Sequence, residues 1–194
     1  GVDQDGGDLE GHGVGPALAP VGLLGGLLLV LLFFLLVVGS GFGLGLGFGF
    51  GFGFFGLVVL GEVFAPWVMD LNLAIEQFDV APPSSAADWQ PGAILRLPFS
   101  ERLCRNGGTV SGQALMAFAD TAMVIANLAA NRGYRPMTTV DQTTHFMRAV
   151  SASDVLADAR VVRLGRTMSF GRVTLSSAAD NKPVAMVSSA FAML

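Results

Sequence analysis

From Ala93 onward the hydrophobic and polar positions fall into a readable order. Ala93–Phe99 (AILRLPF) alternates apolar and polar residues and predicts a strand, with Pro98 marking an edge or a strand end. Asn106-Gly107-Gly108 is a turn signal. Gly112–Asn131 (GQALMAFADTAMVIANLAAN) predicts a long helix, with Ser111 as its N-cap and Gly133, just past Arg132, as its C-terminal stop. The helix is apolar nearly all round, which predicts burial, and Asp120 is its only charge. Four strand-like runs follow: Met137–Met147, Val155–Leu164, Met168–Ser177 and Pro183–Met193. Turn residues separate them at Ser151–Asp154, Gly165-Arg166 and Asp180-Asn181-Lys182. Short connections favour antiparallel pairing. The expected architecture is α+β: a long central helix wrapped by an antiparallel sheet of about five strands.

Upstream the pattern changes. Residues 69–92 open amphipathically (Leu71, Leu73, Ile75, Phe78), run on as APPSSAADWQPG, and read as a linker. Residues 1–68 form a Gly-rich, hydrophobic, low-complexity segment, and 1–19 read as disordered. Val21–Val38 is an uncharged run of 18 residues, long enough for a transmembrane helix. No Lys or Arg flanks it closely, so the positive-inside rule assigns no orientation. In GFGLGLGFGFGFGFFG, residues 41–56, every second position lacks a side chain, which favours neither strand nor helix. Two readings of residues 1–68 stay open: a membrane anchor through 21–38, or translated upstream sequence attached by a wrong start. The domain 93–194 by itself is expected in the cytoplasm; an anchor at 21–38 makes it membrane-attached.

Charge divides the chain in the same way. All 11 Lys and Arg lie at or beyond Arg96, where 6 acidic residues leave a balance of +5; everything before is acidic, at −9. The basic surplus is small and unclustered, which argues against nucleic acid and suits a small anionic ligand. A single cysteine, Cys104, excludes a disulfide framework, and no Cys/His cluster has zinc spacing.

Asp120 is the most informative residue. A lone carboxylate in an apolar helix interior is costly unless paired or useful with a raised pKa. Gly112 opens the same helix, where a backbone N–H without a side chain beside it suits an oxyanion. The two lie eight residues apart, about 12 Å along a helix axis. They cannot both touch one reacting carbon from the same helix, so if both act a second subunit supplies one of them. In the next strand, alternation puts Thr139, Asp141, Thr143 and His145 on one face and Val140, Gln142, Thr144 and Phe146 on the other. Arg163 and Arg166 bracket the Leu164-Gly165 turn, a pairing that suits a phosphate as well as an ordinary solvated hairpin.

The stretches NGGTVSGQALMAFADTAM, TTVDQTTHFMRAV and RVVRLGRTMSFGRVTL together resemble the hotdog-fold acyl-CoA thioesterases, specifically the phenylacetate-pathway (PaaI-like) group. The resemblance covers about residues 93–194, roughly half the chain. It implies hydrolysis of an acyl-CoA thioester to free acid and CoA by a homodimer or homotetramer, with no metal and no cofactor beyond the CoA of the substrate. Residue by residue, it makes Asp120 the acid that activates water or attacks the thioester. Gly112 becomes the N–H that polarises the carbonyl, and Thr139 the hydroxyl that orients water. The CoA-lining segment falls on Arg163, Gly165, Arg166, Thr167 and Met168, with Ser111 and Asp141 also at the substrate. Asn106 lies one residue out of register with the family's turn Asn, which puts Arg105 in that place. Three departures stand out. Ser111 replaces the His of a His-Gly pair, Ala149 replaces a Pro, and Gln142 and Thr144 are polar where the family strand is apolar. The first gives an alternative reading, a non-catalytic acyl-CoA-binding protein. A dehydratase or isomerase ranks lower, because such chemistry needs an Asp/His pair and only His145 is available.

Overall fold

The computed structural model describes Gly61, residues 63–82 and residues 88–194. The hydrophobic run 21–38 and the Gly/Phe alternation at 41–56 lie outside the described residues. A short helix α1 (Pro66–Met69) leads in with Pro66 at its first position, where no backbone N–H is required, and buries Val68. The elements after it are β1 (Ala74–Asp79), β2 (Gly92–Leu97), a 3-10 turn (Glu101–Leu103), β3 (Cys104–Arg105), β4 (Thr109–Val110) and α2 (Gly112–Asn131). β5 (Met137–Phe146), β6 (Val155–Leu164), β7 (Met168–Ser177) and β8 (Pro183–Met193) complete the chain.

Six strands form one sheet in the order β1-β2-β6-β7-β8-β5, antiparallel throughout, and β3-β4 form a separate small hairpin. The period-two pattern explains the inner face. Val155, Ala157, Ala159 and Val161 of β6 are buried, as are Val173 and Leu175 of β7 and Ala185, Val187 and Phe191 of β8. α2 lies across this face. Every residue from Thr121 to Ala129 is buried, as the all-round apolar pattern requires. α2 is the one described helix long and apolar enough to span a membrane, and here it is the core helix of the domain. Gly171 lets it approach closely: a Cβ there would collide with the Met123 thioether.

The structure corrects two expectations. Residues 69–92 are not simply a linker, because β1 adds a sixth strand, paired with β2. A bulge at Glu76 hides it: Ile75 pairs with Leu95 and Gln77 with Ile94, so the inward residues Ile75 and Phe78 are three apart. That spacing mimics a helix. At the end of α2, the left-handed residue is Arg132 (φ 54°) rather than Gly133, whose N–H instead bonds to the Leu128 carbonyl at 3.0 Å.

Candidate active site

The start of α2 is fixed from both sides. The Ser111 N–H donates to Leu103 O (2.8 Å), while Ser111 Oγ accepts from Ala114 N (3.3 Å). Ser111 is thus the N-cap, as its residue type predicts. Just before it, Asn106-Gly107-Gly108 turns the β3–β4 hairpin, with Gly107 at φ 95° and Gly108 at φ 73°, conformations glycine adopts without strain. Asn106 is therefore at the tip of a hairpin that leads into the helix. The first-turn N–H groups of α2, including that of Gly112, have no partner within the helix and form its positive end. The Phe146 ring lies over Gly112, and a Cβ there would be 3.1 Å from Phe146 Cζ. Phe146 was not among the expected site residues; a strand-end aromatic carries no sequence signal of its position over a helix terminus.

Two turns later comes Asp120. The first turns of α2 leave an open stripe of Gln113, Met116, Ala117 and Asp120. Asp120 is half-buried there, and Thr139 Oγ1 donates to its Oδ1 at 2.8 Å. Burial pushes this carboxyl above the ordinary carboxylate range; the Thr139 bond opposes that by favouring the charged form. The result is a carboxylate of raised basicity held by a hydroxyl, a fit partner for a proton from water.

The faces of β5 differ from simple alternation. Val140 is an extra residue: Thr139 pairs with Phe191, and Asp141 pairs with the adjacent Ala190. Thr139 therefore shares the helix-facing side with Gln142, Thr144 and Phe146, while Asp141, Thr143 and His145 point the other way. Asp141, expected at the substrate, is on the opposite face of the sheet from Asp120. His145, opposite the exposed Met186, is away from it too. The bulge also explains the polar Gln142, whose Nε2 donates to the Met116 carbonyl (3.1 Å) one turn before Asp120. Gln142 Oε1, Thr144 Oγ1 and Ser189 Oγ are buried on this side with no hydrogen-bond partner among the described residues. Each such group costs about 1–3 kcal/mol.

The arginine turn is at the other end of α2. Ser169, which follows the turn, donates from its Oγ to Asn127 Oδ1, near the helix C-terminus. The turn is closed by Gly165 N donating to Met168 O (2.8 Å), and Thr167 O accepts from Met193 N (2.9 Å). Arg135, which sequence reasoning passed over, donates from Nη2 to Arg166 O (2.7 Å). No carboxylate pairs with Arg135, Arg163 or Arg166 among the described residues.

One chain therefore joins Asp120 to Thr139, and Gly112 to Phe146 and the Asn106 hairpin. It spreads Gly112, Asp120 and the 163–168 turn along a helix of about 30 Å. β5 is an edge strand, and Val140, Phe146 and Met147 beside it are exposed. A cavity of about 590 Å³ opens on the other face of the sheet, between Trp89, Gln90, Arg160 and Arg172. Its Arg160 is already paired with Asp79 and Asp158, and it is remote from Asp120.

Residues 107–184 match the thioesterase superfamily family model. The fold is similar to that of a conserved protein from Pseudomonas aeruginosa (24% identity, 69% of this chain and 98% of that one, TM-score 0.58). It is also similar to zebrafish thioesterase superfamily member 2 (22% identity, 71% and 94%, TM-score 0.58). A third similar structure is the PaaI protein of the E. coli phenylacetic acid degradation operon (16% identity, 70% and 88%, TM-score 0.58). No curated protein matches the chain.

Proposed function

We propose that the described domain, similar to the thioesterase superfamily over residues 107–184 and to PaaI in fold, is a hotdog-fold thioesterase that hydrolyses an acyl-CoA thioester to the free acid and CoA. The observation that carries the reading is Asp120: the only charge on the core helix, desolvated, and held by Thr139. In the reaction, the Gly112 N–H at the positive end of α2 stabilises the oxyanion of the thioester carbonyl. Asp120 takes a proton from water, which adds to the carbonyl carbon, and Thr139 orients the carboxylate and the water. The C–S bond then breaks, and the proton passes from Asp120 to the departing thiolate.

Gly112 and Asp120 of one helix are too far apart to share a carbon. A homodimer in which two α2 helices run antiparallel brings the Gly112 of one copy to the Asp120 of the other. The exposed apolar residues along the β5 edge support such self-association. The CoA phosphates fall to Arg163, Arg166 and Arg135, exposed or half-exposed and without a paired carboxylate among the described residues. The reaction as written calls for no metal or redox cofactor.

Ser111 favours a second reading. Its hydroxyl is spent on capping Ala114 N, so this position offers no imidazole and little freedom toward substrate. A domain lacking that group binds acyl-CoA without turnover. Thiol release from a panel of acyl-CoA esters, for the parent and Asp120→Asn, decides between them. Turnover that falls by about two orders of magnitude or more in the variant supports hydrolysis. Binding of CoA esters without turnover supports the second reading.

A further inference from the structure

Met116 is the middle residue of the α2 segment between Gly112 and Asp120. Each of the two is four residues away, about 6 Å along the axis. At about 100° per residue, Met116 is also at the centre of the arc that holds them. It is 38% exposed and is the one large apolar side chain on the open stripe of α2. In the antiparallel dimer, Gly112 of one copy meets Asp120 of the other. Each residue before Met116 on one helix then faces the residue equally far after it on the other, and Met116 faces its own counterpart. The two-fold axis passes between the two methionines, with one reacting carbonyl about 6 Å to either side. The arginine turn falls farther out. Ser169, just past it, bonds to Asn127, which lies seven residues beyond the Asp120 of the same copy and farther from the axis. A CoA that reaches this turn leaves the carbonyl outward, so the acyl group leaves it inward, toward the methionine pair.

We propose that the two Met116 side chains meet at the dimer axis as a shared apolar wall, which ends both acyl sites and restricts the enzyme to short acyl groups. The proposal rests on the hydrolase reading and its antiparallel dimer. A methionine suits the place. It is unbranched, apolar and flexible, and packs against its twin and against hydrocarbon with no hydrogen bond to satisfy.

Two measurements on the full chain test this. In a Cys104→Ala background, which removes the only native thiol, Met116→Cys is oxidised mildly. Helices packed about 8–10 Å apart bring facing Cα atoms within the span of a disulfide, so a covalent dimer forms. Gln113→Cys, exposed on the same stripe, is the control: its two copies are offset by about 9 Å along the axis and do not link. The second measurement is kcat/KM over saturated acyl-CoA esters of increasing length. Met116→Ala raises the ratio of long to short esters about tenfold or more. Met116→Phe lowers that ratio, and Met116→Leu, of similar volume, keeps the parental profile. A dimer that does not link through position 116, or a length profile indifferent to the size of that residue, overturns the proposal. A parent that turns over no ester refutes the hydrolase reading and the acyl wall together, while a disulfide at 116 still marks the axis. An active, dimeric parent with neither the disulfide nor the change in profile refutes the methionine wall alone.

Discussion

Replacing Gly112 by Ala separates catalysis from stability. The new methyl would be 3.1 Å from Phe146 Cζ and 3.5 Å from both Cε atoms. Comfortable carbon contacts are about 3.5–4.0 Å, so the ring must retreat by a few tenths of an ångström. Phe146 is 51% exposed on an edge strand and is free to do so, unlike a residue in a packed core. Overpacking a core costs about 1–3 kcal/mol, and this position falls at or below the low end. Ala also gains up to about 1 kcal/mol over Gly in a helix. The net stability change is therefore within about 1 kcal/mol, a shift in Tm of a few degrees at most. The effect on rate is larger, because the methyl occupies the approach to the N–H that meets the carbonyl. Loss of one oxyanion donor costs about 10²–10³ in kcat, roughly 2.7–4 kcal/mol. Thermal unfolding and thiol release measured on the same preparation read both. A folded Gly112→Ala protein with parental kcat and KM refutes the placement of the carbonyl at this helix terminus.

Three further outcomes follow from the same geometry. Thr139→Val removes the bond that favours ionised Asp120 and leaves burial unopposed, so the acid limb of the pH–rate profile moves to higher pH; a limb that stays or moves down contradicts this. Asp120→Asn stabilises the fold at neutral pH while abolishing activity. A carboxyl whose folded pKa is raised binds its proton more tightly in the native state, so it costs stability once pH exceeds its unfolded pKa. The gain in Tm is present at pH 7 and vanishes below the ordinary carboxylate range, and a loss of Tm at pH 7 would sink the argument. Arg163→Ala with Arg166→Ala raises KM for acyl-CoA roughly tenfold with little change in kcat, most strongly at low salt; an unchanged KM moves the phosphates elsewhere.

Much of the fold is legible in the sequence because its signals are strictly local. The bounds of α2 follow from Ser111 and from a run of apolar residues that ends at Asn131. β6, β7 and β8 follow from the turn residues that bound them and from alternation over most of their length, interrupted by extra residues at Val162 in β6 and Val184 in β8. Bulges break that legibility. One at Glu76 gives β1 a helical spacing of inward residues, and one at Val140 moves Asp141 away from Thr139 and brings Gln142 in. A bulge depends on the partner strand, and the strand's own residues do not announce it. The pairing of Asp120 with Thr139 was legible only through resemblance to a family, since the two are 19 residues apart in sequence. Phe146 over Gly112 and Arg135 on the 163–168 turn arise from packing between elements, which periodicity does not encode.

The central claim is a thioester hydrolysed between two copies, with Gly112 from one and Asp120 from the other. Complementation tests it most directly. Asp120→Asn and Gly112→Ala are each prepared alone, then co-expressed so that subunits mix. A heterodimer of the two has one site with both native groups and one with neither. Random mixing of two-fold dimers therefore restores roughly a quarter of parental activity from two inactive proteins. Activity no higher than that of the separate variants, in dimers shown to have mixed, would place both groups in the same subunit's site and contradict the account.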